Sequence, residues 1–201
     1  MKDKKIVLPG GAGLVGETLV ARLIANGYKN IVVLDKHIAN IKILKEVQPS
    51  ITVEYADLAT EGERAKHFIG ADTVGMLQTP IGGTNYDEFI RNNVNSTSVV
   101  LKLIKELNIP QLIHISSSVV ESKSNDFYTV SKKTQEKLVI DSGIPCPILR
   151  PTLMFGWFDR KHLGWLSRFM KKVPVFPIPG NGRYMRQPLY VGDFCNVIIS
   201  C

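Results

Sequence analysis

The stretch VLPGGAGLVGETLV, Val7 to Val20, joins a short apolar run to a helical pattern through four glycines. Gly11, Gly13 and Gly16 fit G-x-G-x-x-G, and Gly10, Gly13 and Gly16 fit G-x-x-G-x-x-G. Residues without a Cβ let the chain turn tightly, let the backbone approach a pyrophosphate, and let helix and strand pack closely. The helix start, at Leu14, Val15 and Gly16, then turns N–H groups and a partial positive charge toward the phosphates. A glycine turn that binds nothing has the same letters. Here, however, a second strand ends in Asp35, nineteen positions after Gly16. A carboxylate there accepts hydrogen bonds from both adenosine ribose hydroxyls and repels a 2′-phosphate, which favours NAD over NADP. Lys36 and His37, next in the chain, weaken that discrimination.

The rest of the chain repeats the strand–helix rhythm. After IVLP and a helix from about Leu14 to Asn26 come NIVVLD, a helix over Ile38–Val47, and ITVEYAD. A brief helical piece precedes ADTVGML. A long amphipathic helix is predicted over Tyr86–Leu107, then QLIHISS, a helix over Phe127–Asp141, and CPILRP. Short connections between alternating elements predict an α/β fold with a doubly wound parallel sheet, a Rossmann domain over residues 1–150. After Pro151 the texture changes to Pro, Gly and aromatic residues without that rhythm. Residues 151–201 are expected to form part of a substrate-binding or lid segment. Asp193 to Cys201 reads as an N-cap and two turns of apolar helix without a C-cap, as if the natural polypeptide continued.

Composition narrows the classes. The 44% apolar and 21% charged fractions suit a globular domain, and no run is apolar and long enough to span a bilayer. MKDKK passes into IVLPGG without the apolar core of a signal peptide. Cys146, Cys195 and Cys201 are odd in number and lack C-x-x-C spacing, which fits a reducing cytoplasm and no metal cage. His37, His67, His114 and His162 are not spaced as metal ligands, so no metal is expected. The net charge of +7 reads as a solvated basic face, densest around Arg168, Lys171 and Lys172, without an aromatic-interleaved ribbon; nucleic acid is not an expected partner. Trp157 and Trp165 read as packing within the lid, with stacking on a substrate base as the alternative.

Tyr128 and Lys132 stand four apart, downstream of the cluster Ser116-Ser117-Ser118. Such a pair arises easily by chance. Its place at the start of the helix after the fifth strand is more informative, since the C-terminal strand ends face the crevice of the glycine loop. Residues i and i+4 share a helix face, so an ammonium under the phenol would favour tyrosinate, a base able to take an alcohol proton. A serine from the strand end could hold the same substrate oxygen.

Taken with Asp57-Leu58, NNVNST, HISSS, YTVSK, LRPTLMFG and RQPLYVGDF, these residues resemble the short-chain dehydrogenase/reductase superfamily in its epimerase/dehydratase branch. The resemblance implies NAD as cofactor, with Asp57 and Leu58 reading the adenine. It implies Tyr128 as base, Lys132 as its partner and a nicotinamide-ribose ligand, and Ser117 as the strand-end hydroxyl with Ser118 as substitute. It places Arg186 on a substrate diphosphate and Gln78 and Thr79 near the nicotinamide. It also implies a nucleotide sugar as substrate and a homodimer through the helices of Tyr86–Leu107 and Tyr128. Three features depart from the sugar enzymes. The Ser117–Tyr128 spacing is short, Leu153 replaces a substrate-contacting asparagine, and MLQTP replaces a small L-A-A. These departures resemble atypical members, some of which bind a dinucleotide without turnover. Two expectations follow: an enzyme acting on a hydroxyl, or a dinucleotide-binding accessory module of a larger complex.

Overall fold

The computed structural model describes residues 2–60, 64–79, 85–178 and 180–201; Pro80 of MLQTP and Pro179 of the lid segment lie outside them. In chain order the elements are β1 (Ile6–Pro9), α1 (Leu14–Ala25), β2 (Ile31–Asp35), α2 (Ile38–Val47), β3 (Thr52–Tyr55), α3 (Ala65–Phe68) and β4 (Thr73–Met76). Then follow α4 (Tyr86–Phe89), a π-helical turn (Ile90–Asn95), α5 (Ser96–Glu106), β5 (Gln111–Ile115), a 3₁₀ turn (Ser118–Glu121), α6 (Phe127–Asp141) and β6 (Ile148–Leu149). The chain ends in β7 (Leu153–Phe155), α7 (His162–Met170), β8 (Pro188–Tyr190) and α8 (Val191–Ser200).

Six strands form one parallel sheet in the order β3-β2-β1-β4-β5-β6. Successive residues of a strand point to opposite faces, and here both faces are covered. Ile6 and Leu8 of β1 join Ile31 and Val33 of β2, Ile113 and Ile115 of β5, and Leu19, Leu23, Phe194 and Ile198 from α1 and α8. Val7, Val32, Leu34, Val74 and Leu112 face the other way, onto Val100, Leu101 and Ile104 of α5, Phe68 and Val139. Each such side chain, removed from water, contributes about 1.5–3 kcal/mol.

The order reverses between β1 and β4, so their C-terminal ends flank the crevice where parallel sheets bind ligands. Pro9 closes β1, where its missing N–H costs the ladder least, and its carbonyl takes the Leu77 N–H at 2.9 Å.

Three local expectations change. The helix expected over Tyr86–Leu107 is interrupted by the π turn, where the Ser96 hydroxyl donates to the Asn92 carbonyl. Beyond Pro151, where no strand–helix rhythm was expected, β7 and β8 pair in parallel with α7 between them; strands of three residues are too short to show a period. Asp193 is not an N-cap: α8 begins at Val191, and Asp193 lies in its first turn, where a carboxylate complements the helix dipole. Arg160 ties the segment after β7 to the sheet domain by donating to Glu17 at 3.1 Å. No helix among the described residues is long and apolar enough to cross a membrane.

Candidate active site

Each glycine of the N-terminal loop has its own physical reason. Gly10 has φ +75°, and a Cβ there would lie 2.4 Å from the Gln78 backbone, so the loop and the end of β4 touch main chain to main chain. A Cβ on Gly16 would meet the Gly11 carbonyl oxygen at 2.1 Å, which fixes how closely α1 packs on the loop. Gly13 differs: its nearest neighbour would be the Gly10 oxygen at 3.8 Å, so protein packing does not demand a glycine there. Gly13 precedes α1 in extended conformation, and the first intrahelical bond runs from the Glu17 N–H to the Gly13 carbonyl at 2.8 Å. The N–H groups of Leu14, Val15 and Gly16 are therefore outside the helical ladder and point beyond the helix start.

Asp35, at the end of β2, accepts from the Ala12 N–H at 3.0 Å with one carboxylate oxygen and from the His37 N–H at 2.9 Å with the other. Each oxygen keeps a lone pair for a ribose hydroxyl. Asp57 accepts from the Ala59 N–H at 3.0 Å and pairs with Arg91 at 2.6 Å. The Leu58 side chain is buried in the core beneath α5. Gln78 has a buried amide whose nitrogen and oxygen find no partner among the described residues. An orphaned amide beside Gly10, spare N–H groups at α1 and a Gly13 that packing does not require all fit a dinucleotide in this crevice. Among the described residues no cluster of His, Cys, Asp or Glu could hold a metal ion.

Three elements converge on Tyr128. The side chains of Ser117, at the end of β5, and Thr79, beyond the end of β4, lie against its phenol. The Tyr128 ring packs edge-on to Phe89, with centroids 6.4 Å apart. Asp126 caps α6, accepting from the Thr129 N–H at 2.9 Å and hydroxyl at 2.7 Å, and from the Ser124 hydroxyl at 2.6 Å. These bonds, that from Ser124 first, hold its carboxyl down at about 2. The cap sets where the first turn of α6 begins, and so where Tyr128 stands.

Lys132 departs from the expected arrangement. It is fully buried, and its ammonium donates to the Ile115 carbonyl at 3.0 Å and to Gln135 Oε1 at 2.6 Å. Burial brings its pKa down to about 7, against the pull of Glu136. Tyr128 is correspondingly not made more acidic: burial raises its phenol, and the nearby Ser117 and Thr79 hydroxyls only oppose that rise. The physical reason is that Nζ has found acceptors inside the sheet–helix interface. Gln135 is in turn held by its Nε2, which donates to Thr97 at 2.9 Å, and Asn93 of the π turn donates to Ser131 at 2.9 Å. Sequence reasoning missed Gln135, although its i+3 spacing from Lys132 was a usable signal.

His114 is buried on the same face of β5, and burial takes its imidazole down to about 3, with Lys132 adding to the effect. Glu136 pairs with Arg150, which also reaches Glu121.

The remaining residues lie apart. Ser118 opens the 3₁₀ turn, its N–H donating to the Pro151 carbonyl at 3.0 Å. Arg186 is exposed, over the Tyr184 ring at 4.2 Å and donating to its hydroxyl at 2.9 Å. Trp157 does not pack into the lid as expected: it is 90% exposed. It borders a cleft of about 330 Å³ lined also by Phe155, Leu163, Arg168 and Tyr190.

Comparison with known proteins agrees with this fold. Residues 6–200 match the profile of the NAD dependent epimerase/dehydratase family. Sterol-4-alpha-carboxylate 3-dehydrogenase, decarboxylating, from Bos taurus is 26% identical over 205 residues, covering 90% of this chain and 55% of the relative. NADH dehydrogenase [ubiquinone] 1 alpha subcomplex subunit 9, mitochondrial, from Dictyostelium discoideum is 26% identical over 200 residues, covering 95% of this chain and 53% of that protein. The chain thus spans about half the length of these curated relatives. The crystal structure of UDP-glucuronic acid 4-epimerase from Bacillus cereus in complex with NAD superposes with a TM-score of 0.82 at 23% identity, over 98% of this chain and 73% of that one, a likeness of fold. The glycine crevice, the strand order and the profile match together make this chain a member of the NAD-dependent epimerase/dehydratase family.

Proposed function

We propose that the protein oxidises a secondary hydroxyl group of a small molecule and, in an epimerase or dehydratase cycle, returns or carries forward the keto intermediate. The observation that carries this reading is that the Ser117 and Thr79 side chains, at the ends of β5 and β4, lie against the Tyr128 phenol. Bound NAD supplies the acceptor for the hydride that leaves the substrate carbon. Ser117 holds the substrate oxygen, and tyrosinate at Tyr128 takes its proton as the C–O bond becomes a carbonyl. Thr79 donates a second hydrogen bond to the phenolate oxygen, offsetting part of the burial that makes the phenol a weak acid. In the reductive direction the protonated phenol returns that proton to the keto oxygen. Lys132 orients the site from below, through the Ile115 carbonyl at the end of β5.

A nucleotide-diphosphate sugar is the leading substrate class, with Arg186 on the diphosphate and Ser118 beside the sugar. Structurally similar proteins include UDP-glucuronic acid and UDP-galactose 4-epimerases, which supports this choice. The protein is also expected to pair as a homodimer through α4, α5 and α6, where Tyr86 of α4 and Phe127 and Ile140 of α6 present apolar surface.

A second reading, a dinucleotide-binding module without turnover, is favoured by one observation: Lys132 is engaged away from the phenol. The similarity to a named subunit of an NADH dehydrogenase points the same way. Incubation with NAD and a panel of UDP-sugars, dTDP-sugars and alicyclic secondary alcohols, followed by NADH absorbance and product analysis, separates the two. Turnover that disappears in Tyr128→Phe while NAD binding persists supports the enzyme. Tight NAD binding with no turnover on any alcohol supports the module.

A further inference from the structure

Lys132 meets its charge with neutral oxygens. Its Nζ donates to the Ile115 carbonyl at 3.0 Å and to Gln135 Oε1 at 2.6 Å, and Lys132, Gln135 and Thr97 are all fully or almost fully buried. An amide can face either way, and here Thr97 decides: Gln135 Nε2 donates to its hydroxyl at 2.9 Å, which leaves Oε1 toward the lysine. The charged and titratable groups around Nζ come from two elements. Glu136, next along α6, attracts the ammonium but is itself held by Arg150. His114, from β5, is neutral, since burial takes it down to about 3. The α5 side contributes Thr97 and Asn93, which carry no charge. One helical turn back on α6, burial raises the Tyr128 phenol, Asp126 adds to that rise, and no opposing pull from Lys132 reaches it. Where the lysine is held, burial brings it to about 7, so it is neutral before the phenol titrates.

We infer that Gln135 is a positioning residue: it draws the Lys132 side chain toward the Ile115 carbonyl and so withholds its charge from the Tyr128 phenol. The inference rests on Tyr128 as the base of the proposed reaction. Residues i and i+4 share a helix face, so a lysine freed of Gln135 has the phenol as a further partner on its own side of α6. There the phenol's proton passes to Nζ, and the product is a tyrosinate–ammonium pair. No other reactant enters, and the net charge of the site is unchanged. Gln135, fixed by Thr97, sets the resting site against that transfer. A glutamine that only filled space between α5 and α6 would leave the phenol's titration unchanged when replaced, and that difference makes the inference testable.

Tyrosinate absorbance, titrated with and without Tyr128→Phe in each background, reads the phenol without substrate or turnover. Wild type is expected to show no Tyr128 ionisation below the ordinary value of 10.0. Gln135→Met keeps the volume and removes the acceptor, and the phenol is expected to titrate about one to three pH units lower than in wild type. Adding Lys132→Met abolishes that shift, which identifies the amine as its source. Gln135→Glu restores an acceptor and is expected to return the phenol to the wild-type range. Circular dichroism checks the fold of each variant. Thr97→Val, which releases the amide and leaves the lysine its acceptor, gives a smaller shift in the same direction and replaces Gln135→Met if that variant does not fold. The inference is overturned if the phenol titrates as in wild type, as it would with Lys132 captured by Glu136, or if the shift survives Lys132→Met. Turnover is a separate readout: activity that persists in Tyr128→Phe defeats the proposed reaction and leaves the titration result standing.

Discussion

Substituting alanine at Gly13 and at Gly16 separates what the glycine loop does for the fold from what it does for the ligand. At Gly16 the new methyl would lie 2.1 Å from the Gly11 carbonyl oxygen and 2.4 Å from its carbonyl carbon. Both are main-chain atoms, so no side chain can swing aside and α1 must move off the loop. Overpacking of this kind costs about 3 kcal/mol or more, which for a chain of this size lowers Tm by roughly 6–12 °C. At Gly13 the nearest atom is 3.8 Å away, and φ −94°, ψ −175° is a conformation alanine adopts freely. Its smaller unfolded-state entropy and its poorer capping nearly cancel, leaving stability within about 1 kcal/mol of wild type. The methyl then occupies the approach to the spare N–H groups of α1. A clash of about 1–3 kcal/mol there weakens NAD binding roughly five- to 150-fold. Thermal unfolding and titration calorimetry with NAD, on both variants, give four numbers. The reasoning fails if Gly13→Ala binds NAD as wild type does, or if Gly16→Ala unfolds at the wild-type temperature.

Thr79→Val removes one of the two nearby hydroxyls that lower the Tyr128 phenol. Where tyrosinate is the base, the rising limb of the kcat/KM profile should move alkaline by up to about one pH unit, and Thr79→Ser should restore it. Asp126→Ala removes the cap of α6 and should destabilise by about 1 kcal/mol at neutral pH. Because the folded Asp126 carboxyl sits at about 2, below its ordinary 3.8, its contribution is full above that ordinary value and disappears as pH falls toward 2. Urea titrations across that window should show wild type and Asp126→Ala converging in acid; a constant gap counts against the assignment. Light scattering should return about twice 22.4 kDa, and Phe127→Glu should return the monomer; equal masses remove α6 from the dimer contact.

Most of the sheet was legible because short continuous apolar runs, the mark of strands covered on both faces, and glycine loops are local signals. The bounds expected for Ile38–Val47 and Phe127–Asp141 are those observed, since His37 and Asp126 cap the two helices with their own side chains. What the sequence did not show is set by distant partners. The π turn has no letter of its own: Phe89, Asn93 and Thr97 keep ordinary helical spacing. Likewise, i+4 spacing placed Lys132 on the Tyr128 face but could not tell where a long side chain ends. That depends on the Ile115 carbonyl, seventeen residues away in sequence, and on Gln135.

The layer between β5 and helices α5 and α6 is polar in a way stability does not require. Asn93, Thr97, Ser131, Lys132, Gln135 and Glu136 are all buried there, beside His114. A satisfied buried hydrogen bond contributes only about 1 kcal/mol net, whereas an unsatisfied one costs about 1–3, so an apolar interface of the same volume would be as stable and less exacting. The bonds do something else: they remove freedom. Ser131 donates to the Tyr128 carbonyl at 2.9 Å and is itself held by Asn93, which fixes the turn of α6 that carries the phenol. Gln135, held by Thr97, fixes the lysine one turn farther on. Two polar contacts from α5 and its π turn therefore brace the two residues on which the proposed chemistry depends, each through one intermediary. A helix whose only task was to cover β5 would have had leucine and valine at those positions, as Leu101, Ile104 and Val139 do where the layer is apolar.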